Sequence, residues 1–300
     1  MFLQQIANGL TVGGVYALIA LGYTMVYGVL ELINFAHGEV YMIGAYLGII
    51  FFGLFTVTGL SSQSLIVSLT LTFLLSTGFC AAYGFTIERV AYRPLRDAPR
   101  LSPLISAIGV SIFLQNFVML TQGTTDKVFP HLFPASGLEF FGVRLTYLQV
   151  SIILTSFILM ALLHIFITRT RFGKAMRAVA QDRIMASLVG VDIDTVISLT
   201  FIIGSALASV AGIMVAMYYG LVNYSIGYIA GIKAFTAAVV GGIGSIPGAM
   251  FGGILLGLVE SLGAAYLSSE YKDAYAFAVL IAVLLIRPSG LFGQRREEKV

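Results

Sequence analysis

Ionisable side chains held inside apolar sequence are costly to keep from water, so they mark candidate sites for pairing with a charged solute or relaying a proton. Three stand out: His37 and Glu39, both close after Asn34, and Glu260 within Leu256-Gly257-Leu258-Val259-Glu260-Ser261-Leu262. Glu31, His37 and Glu39 bracket Asn34, and a boundary position, where water solvates charge cheaply, is the default for that cluster. Glu260 lies deeper in its run, and two readings stand for it: interior packing and a pathway role. His164 lies near a basic loop, so an interfacial side chain is its default. A different signal comes from Gly241, Gly242, Gly244, Ser245 and Pro247. Proline removes a backbone donor and the glycines loosen a helix, so this stretch predicts a break. Freed backbone groups inside a membrane are tolerated only against protein or a water-lined path, which makes the break a candidate pathway-lining element.

Other chemistries lack their residues. No Gly-x4-Gly-Lys-Ser/Thr sequence is present, and the glycines from Gly241 to Gly248 lack the lysine of a phosphate-cradling loop. There is no His-Glu-x-x-His, no paired-cysteine metal pattern and no Gly-x-Ser-x-Gly elbow. Neither a metal nor a catalytic residue is expected, although spacing alone leaves open an intramembrane enzyme built from scattered Asp, His or Ser. The pattern points to a conduit. Cys80, the single cysteine, excludes an intrachain disulfide and reads as a small core residue.

The elements that must position these residues follow from composition. With 58% hydrophobic and 10% charged residues and a mean hydropathy of +0.96, the chain has too little polar surface to coat a soluble globule of 300 residues. In hydrocarbon only helices or closed barrels satisfy their backbones, and the apolar runs are too long and too unalternating for barrel strands. The fold class is therefore all-α: one polytopic helical bundle spanning residues 1–300. At roughly 20 apolar residues per crossing, the candidate spans are Ile6 to Leu30, Ile33 to Phe55, Leu65 to Ile87, Leu101 to Thr121, Thr146 to Thr168, Val196 to Gly220, Gly231 to Met250, Phe251 to Leu267 and Ala274 to Ile286, eight or nine in all. Ile33 to Phe55 and Gly231 to Leu267 are rich in glycine and accommodate broken or re-entrant helices. The start, Met1-Phe2-Leu3-Gln4-Gln5, lacks the basic region of a cleaved leader, so the first helix is expected to stay.

Three basic segments interrupt the apolar sequence, Arg89 to Arg100, Arg169 to Arg183 and Arg287 to Lys299. Basic loops mark the cytoplasmic side, so these face inward and Gln122 to Leu145 faces outward. The C-terminus is then inside and, with nine crossings, the N-terminus outside. The net charge of +3 sits in these loops and is no nucleic-acid signal. Two segments echo each other: Asn34-Phe35-Ala36-His37-Gly38 and Asn223-Tyr224-Ser225-Ile226-Gly227 share the form Asn-aromatic-small-x-Gly, each shortly after a Tyr-Gly pair. With one copy at the inner face and one at the outer, they form a candidate inverted repeat, an arrangement common in transporters; two unrelated helix-ending turns would give the same match. Glycines spaced by four, Gly44 and Gly48, then Gly244, Gly248 and Gly252, clear helix faces for close packing within the chain. From Lys174 to Leu188 the basic segment predicts one amphipathic helix, ended by Gly190. Such a helix either lies on lipid and neighbouring helix ends or docks a soluble partner.

The stretches Ile33-Asn34-Phe35-Ala36-His37-Gly38-Glu39-Val40-Tyr41-Met42, Ile87-Glu88-Arg89-Val90-Ala91-Tyr92-Arg93-Pro94, Leu104 to Gly109, the loop around Arg177-Ala178, and Lys233 to Ala249 resemble the bacterial branched-chain amino-acid ABC-transporter permeases, most of all the LivH type. The resemblance runs from the first span to the tail. It implies a multi-pass inner-membrane subunit of an ATP-driven importer of leucine, isoleucine and valine that works by alternating access. It also implies partners: a homologous second permease, two cytoplasmic ATP-binding subunits and a periplasmic amino-acid-binding protein. No cofactor would be bound by this chain, with ATP and Mg on the partner ATPases. Residues 169–194 would be the ATPase-coupling segment, with Arg171, Lys174, Met176, Arg177, Asp182 and Gly190 as its candidate residues. Asn34, His37, Glu39, Asn223, the Gly241 to Gly248 break and Glu260 would line the transport pathway. Related permeases for urea, short amides or other amino acids share the architecture. A self-sufficient secondary carrier is the other reading, and the sparse buried acids argue against it.

Overall fold

The computed structural model describes residues 1–96, 98–99, 101–130, 137–140 and 142–293, with Phe140 by its main chain alone. Arg100 and the tail from residue 294, including Lys299, fall outside the described residues. Twelve α-helices are described: α1 (Phe2–Leu30), α2 (His37–Val57), α3 (Leu60–Gln63), α4 (Leu65–Ile87), α5 (Leu101–Gln122), α6 (Tyr147–Arg169), α7 (Arg171–Gln181), α8 (Arg183–Leu188), α9 (Ile193–Tyr219), α10 (Ile226–Gly241), α11 (Ile246–Tyr266) and α12 (Lys272–Ile286). α4 runs on through a π-helical turn, Glu88–Tyr92, and a 3-10 turn, Arg93–Leu95. Seven of these helices are long and apolar enough to cross a membrane; α10 and α12, at 16 and 15 residues, are shorter.

α1 is the central rod. It is apolar on every face and buried on nearly every face, with Ala17 to Leu21 wholly inaccessible. Small residues let its neighbours approach: a Cβ on Gly13 would lie 2.9 Å from the Ile254 Cα of α11, and α11 in turn presents Gly253 and Gly257 to α1. The expected glycine pairs also serve packing inside the chain. Gly44 and Gly48 face Ser209 and Ile213 of α9, while Gly248 and Gly252 face α10. Cys80 is buried, its thiol beside the Val40 carbonyl at 3.7 Å.

The internal echo extends well beyond five residues. α1 and α9 each end on a left-handed cap, Glu31 at φ 57° and Gly220 at φ 71°, each three residues before the repeated asparagine. Asn34 Oδ1 accepts the Ala36 amide at 3.1 Å and Asn223 Oδ1 accepts the Ser225 amide at 3.2 Å. These turns open α2 and α10. Thr11 and Thr200, set apart by the same interval as the two asparagines, each bond back to the carbonyl four residues earlier. α4 and α11, the next long helices of each half, both start on a serine cap, Ser64 and Ser245. The halves exchange partners: α1 packs on α11 and α10, and α9 packs on α4 and α2.

Two-stranded pairings close one end of the bundle. β1 (Lys127–Val128) runs antiparallel to β4 (Leu221–Val222), and β2 (Gly137–Phe140) to β3 (Val143–Thr146). The β2–β3 pair precedes α6 in the chain. Gln4 at the start of α1 bonds the main chain of Arg144. At the opposite end, Arg183 donates to the Val29 carbonyl at 2.9 Å, and Leu291 and Phe292 bond the last turn of α10. The described parts of all three basic segments gather at that second end, as one-sided insertion requires.

Two expected boundaries differ. Gly231 to Met250 is not a span: α10 ends at Gly241, Gly242 (φ 106°) and Gly244 (φ 91°) reverse the chain, and α11 starts after Ser245. Pro247 fits there because a first helical turn has no amide partner to lose. The amphipathic helix expected from Lys174 to Leu188 is two helices. Asp182 is extended (φ −159°, ψ 112°) and its side chain accepts the Met185 amide at 2.9 Å, ending α7 and capping α8.

Candidate functional site

The first turns of α2 and α10 meet inside the bundle. A Cβ on Gly227 would stand 2.7 Å from the Gly38 carbonyl oxygen, so only glycine at both copies of the motif allows the contact. Both helices thus aim their positive ends at a common junction. Glu39, in the first turn of α2, is 1% exposed. Its Oε1 accepts from Ser111 Oγ at 3.2 Å, while Oε2 has no hydrogen-bond partner among the described residues. His37 is equally buried, edge-on to Tyr23 at 4.9 Å, in the niche left where Gly22 of α1 passes Gly204 of α9. The expected boundary position is therefore corrected for both: Glu31 is exposed, but His37 and Glu39 face the interior. The reason is the re-entry of the chain between Glu31 and Ala36, which starts α2 against α10 and not at the bundle's end. Asn34 is also buried, and its Oδ1 is occupied by Ala36 and by the Tyr92 hydroxyl at 3.0 Å, so it holds the turn.

Glu260 lies in a second centre. Its Oε1 accepts from Lys233 Nζ at 2.9 Å and its Oε2 from the Tyr16 hydroxyl at 2.9 Å; Lys233 also pairs with Asp273 at 2.7 Å. Sequence reasoning missed Lys233. The signal was present, because it is the one charge between Gly231 and Met250 and thus costs as much as Glu260 does. The pair fills one wall of a cavity of about 300 Å³, whose other walls include Tyr16, Tyr41, Tyr219, Asn223 and Val215. Asn223 and Glu260 therefore share a cavity, and Glu39 lines a separate one of about 100 Å³. Gly241, Gly242, Gly244, Ser245 and Pro247 line neither; they make the α10–α11 turn at the basic end.

At that end Glu88, fully buried, pairs with Arg96 and accepts from Ser198 Oγ at 2.7 Å, and Arg93 and Arg96 both pair with Asp194. In the segment expected to couple, Arg171, Lys174 and Asp182 are exposed, as is Gly190 at its end. Met176 is 5% exposed and faces the bundle with Gly173 and Val179. Arg177 bonds the Ile167 carbonyl and closes the end of α6. Apolar side chains absent from the expectation stand out instead: Ile184, Met185, Leu188 and Val189 are 59–77% exposed on and just after α8. Among the described residues, no group of three or more His, Cys, Asp or Glu side chains is placed to hold a metal ion.

Long apolar helices in two interlocked halves, with the first turns of α2 and α10 meeting inside, define a polytopic helical membrane protein of the transporter class. The chain belongs to the family of permease components of the branched-chain amino acid transport system, whose model matches residues 5–284. It is 53% identical to the high-affinity branched-chain amino acid transport system permease protein BraD of Pseudomonas aeruginosa, covering 100% of this chain and 98% of that protein. Against the corresponding LivH of Escherichia coli it is 52% identical with the same coverage. A probable branched-chain amino acid transport permease protein LivH of Methanocaldococcus jannaschii is 29% identical over 92% of this chain and 88% of its own length. No solved structure matches the chain.

Proposed function

We propose that this chain is the membrane-spanning permease subunit of an ATP-driven ABC importer that carries leucine, isoleucine and valine by alternating access. The observation that carries the reading is the full-length match at 53% identity to a branched-chain amino acid permease. The chain works in the bacterial inner membrane with its basic end and C-terminus in the cytoplasm. A homologous second permease completes the pathway, a periplasmic binding protein delivers the amino acid, and two ATP-binding subunits supply the energy. ATP and Mg belong to those subunits, and this chain contributes no bond chemistry.

The geometry supports a division of labour. α8 offers Ile184, Met185 and Leu188 to the ATPase, and α7 lies behind it with Met176 and Val179 packed on the bundle. Closure of the ATPases on ATP pulls on this pair, and α7 passes the displacement to α1 and α9, which it touches. Because each half of the repeat grips the other's helices, a shift of one long helix re-aims the junction of α2 and α10.

The test is uptake of labelled leucine into proteoliposomes holding both permeases, with and without the ATPases, ATP and the binding protein. Uptake that needs all of them is expected, and Ile184→Ser with Leu188→Ser, both at exposed positions, is expected to abolish it while leaving insertion intact. Uptake driven by an ion gradient without ATP would replace this reading with a secondary carrier.

A further inference from the structure

We propose that the pocket around Glu39 is a binding site for a primary ammonium group, and that the α-ammonium of the translocated amino acid is its ligand. The choice of amino acid rests on the permease reading above; the site itself rests on geometry. A carboxylate 1% exposed carries one oxygen, Oε2, without a hydrogen-bond partner. An unpaired buried acceptor of that kind costs free energy unless something completes it. The first turns of α2 and α10 meet beside the group, and its unpaired oxygen is an acceptor that only a donor can complete, which an ammonium supplies. Around it stand Tyr23, Phe35, Tyr228 and Phe235, with Phe235 6.3 Å from the Tyr23 and the Phe35 ring centroids. Aromatic faces grouped about one carboxylate are the surroundings that bind ammonium cations by charge and by ring quadrupole. Ser111 adds a hydroxyl oxygen.

The size and the donors narrow the ligand. About 100 Å³ is well below the ~300 Å³ at which pockets enclose whole small molecules. The pocket therefore takes a charged head and leaves the branched side chain at its mouth, where Tyr228 and Ile108 are 59% and 43% exposed. A hard metal cation would want about six oxygens, and the site offers the Glu39 carboxylate and one hydroxyl. An ammonium needs only three acceptors or ring faces. Lys233, a cation buried in the bundle, is already paired with Glu260 and Asp273 and lines a different cavity.

Leucine stripped of one or other charged group separates the chemistry. The full chain in lipid nanodiscs is titrated with labelled isopentylammonium, which lacks the carboxylate, and with isocaproate, which lacks the ammonium. Isopentylammonium is expected to bind and isocaproate to bind at least tenfold more weakly. Glu39→Gln should weaken isopentylammonium at least tenfold, with Glu39→Asp and Ser111→Ala weaker by lesser factors. Equal binding of the two ligands, or binding unchanged in both Glu39→Gln and Ser111→Ala, overturns the proposal. Glu39→Gln material that fails to elute as a folded particle is replaced by Ser111→Ala and by the wild-type ligand comparison, which decide alone. These titrations need no ATPase, so failure of leucine uptake would strike the importer reading and leave the pocket's own result standing.

Discussion

Replacing Lys233 by methionine leaves the Glu260 carboxylate in the interior with the Tyr16 hydroxyl as its remaining partner. The side chains of Lys233 and Glu260 are each only 8% exposed, so water in the adjoining cavity makes good only part of the loss. Breaking a buried pair from one side costs about 3–5 kcal/mol. At about 2–4 °C per kcal/mol for a large domain, Lys233→Met should lower the unfolding temperature by at least ~6 °C. Lys233→Met with Glu260→Leu removes both charges together and should regain most of that loss, because a well-packed apolar pair is close to neutral against an ion pair. Asp273→Asn should cost under about 1 kcal/mol, since that carboxylate is 61% exposed. The lone cysteine supplies the assay: Cys80 is fully buried, so a fluorogenic thiol dye reacts only as the bundle opens during a detergent melt. A double variant no more stable than Lys233→Met, or a single variant that melts like wild type, would refute the buried pair.

Two further perturbations follow from the same structure. Gly38→Ala should destabilise the chain by about 1–3 kcal/mol, because its Cβ would meet the Gly227 carbonyl and lie 2.9 Å from the Gly231 Cα. Gly53→Ala and Gly78→Ala, where nothing stands within 4 Å, should instead stabilise it by about 0.5–1 kcal/mol, and the same melt distinguishes them. Asp192 caps α9 and accepts from the Thr195 hydroxyl at 2.6 Å and its amide at 3.2 Å, bonds that hold its carboxyl below the ordinary range. A depressed carboxyl stabilises above its unfolded value of about 3.9 and ceases to as pH falls through the folded value. Asp192→Ala should therefore lower the melting temperature at neutral pH, with the gap narrowing below about pH 4; a gap unchanged by acid would show that the ionised cap plays no part.

Most of the helices were legible because a bilayer leaves little choice: runs such as Leu65 to Ile87 and Leu101 to Thr121 return as α4 and α5 within a residue of their expected ends. The gathering of the described basic segments at one end of the bundle was equally readable from charge. What sequence could not supply were facts of depth and pairing. His37 and Glu39 looked like boundary residues because they follow a helix end; only the re-entry before α2 carries them inside. Lys233 went unremarked among apolar neighbours, since its partner Glu260 belongs to another helix. Good helix formers either side of Asp182 masked the division of α7 from α8, where a side-chain cap outcompeted helix continuation. In the repeat, the asparagine motif was visible, but the left-handed caps at Glu31 and Gly220 were not, because glutamate rarely adopts that geometry.

The exchange of partners between the halves also sets a schedule for biogenesis. α1 leaves the ribosome first, yet Gly9 and Gly13 find their counterparts on α11 only after about 240 further residues have been made. At about 5–20 residues per second that is a wait of ~12–50 s, during which a narrow, glycine-faced helix stands in lipid without its mate. Neither half can finish its core alone, so assembly of this bundle depends on whatever insertion machinery shelters α1 until the second half arrives.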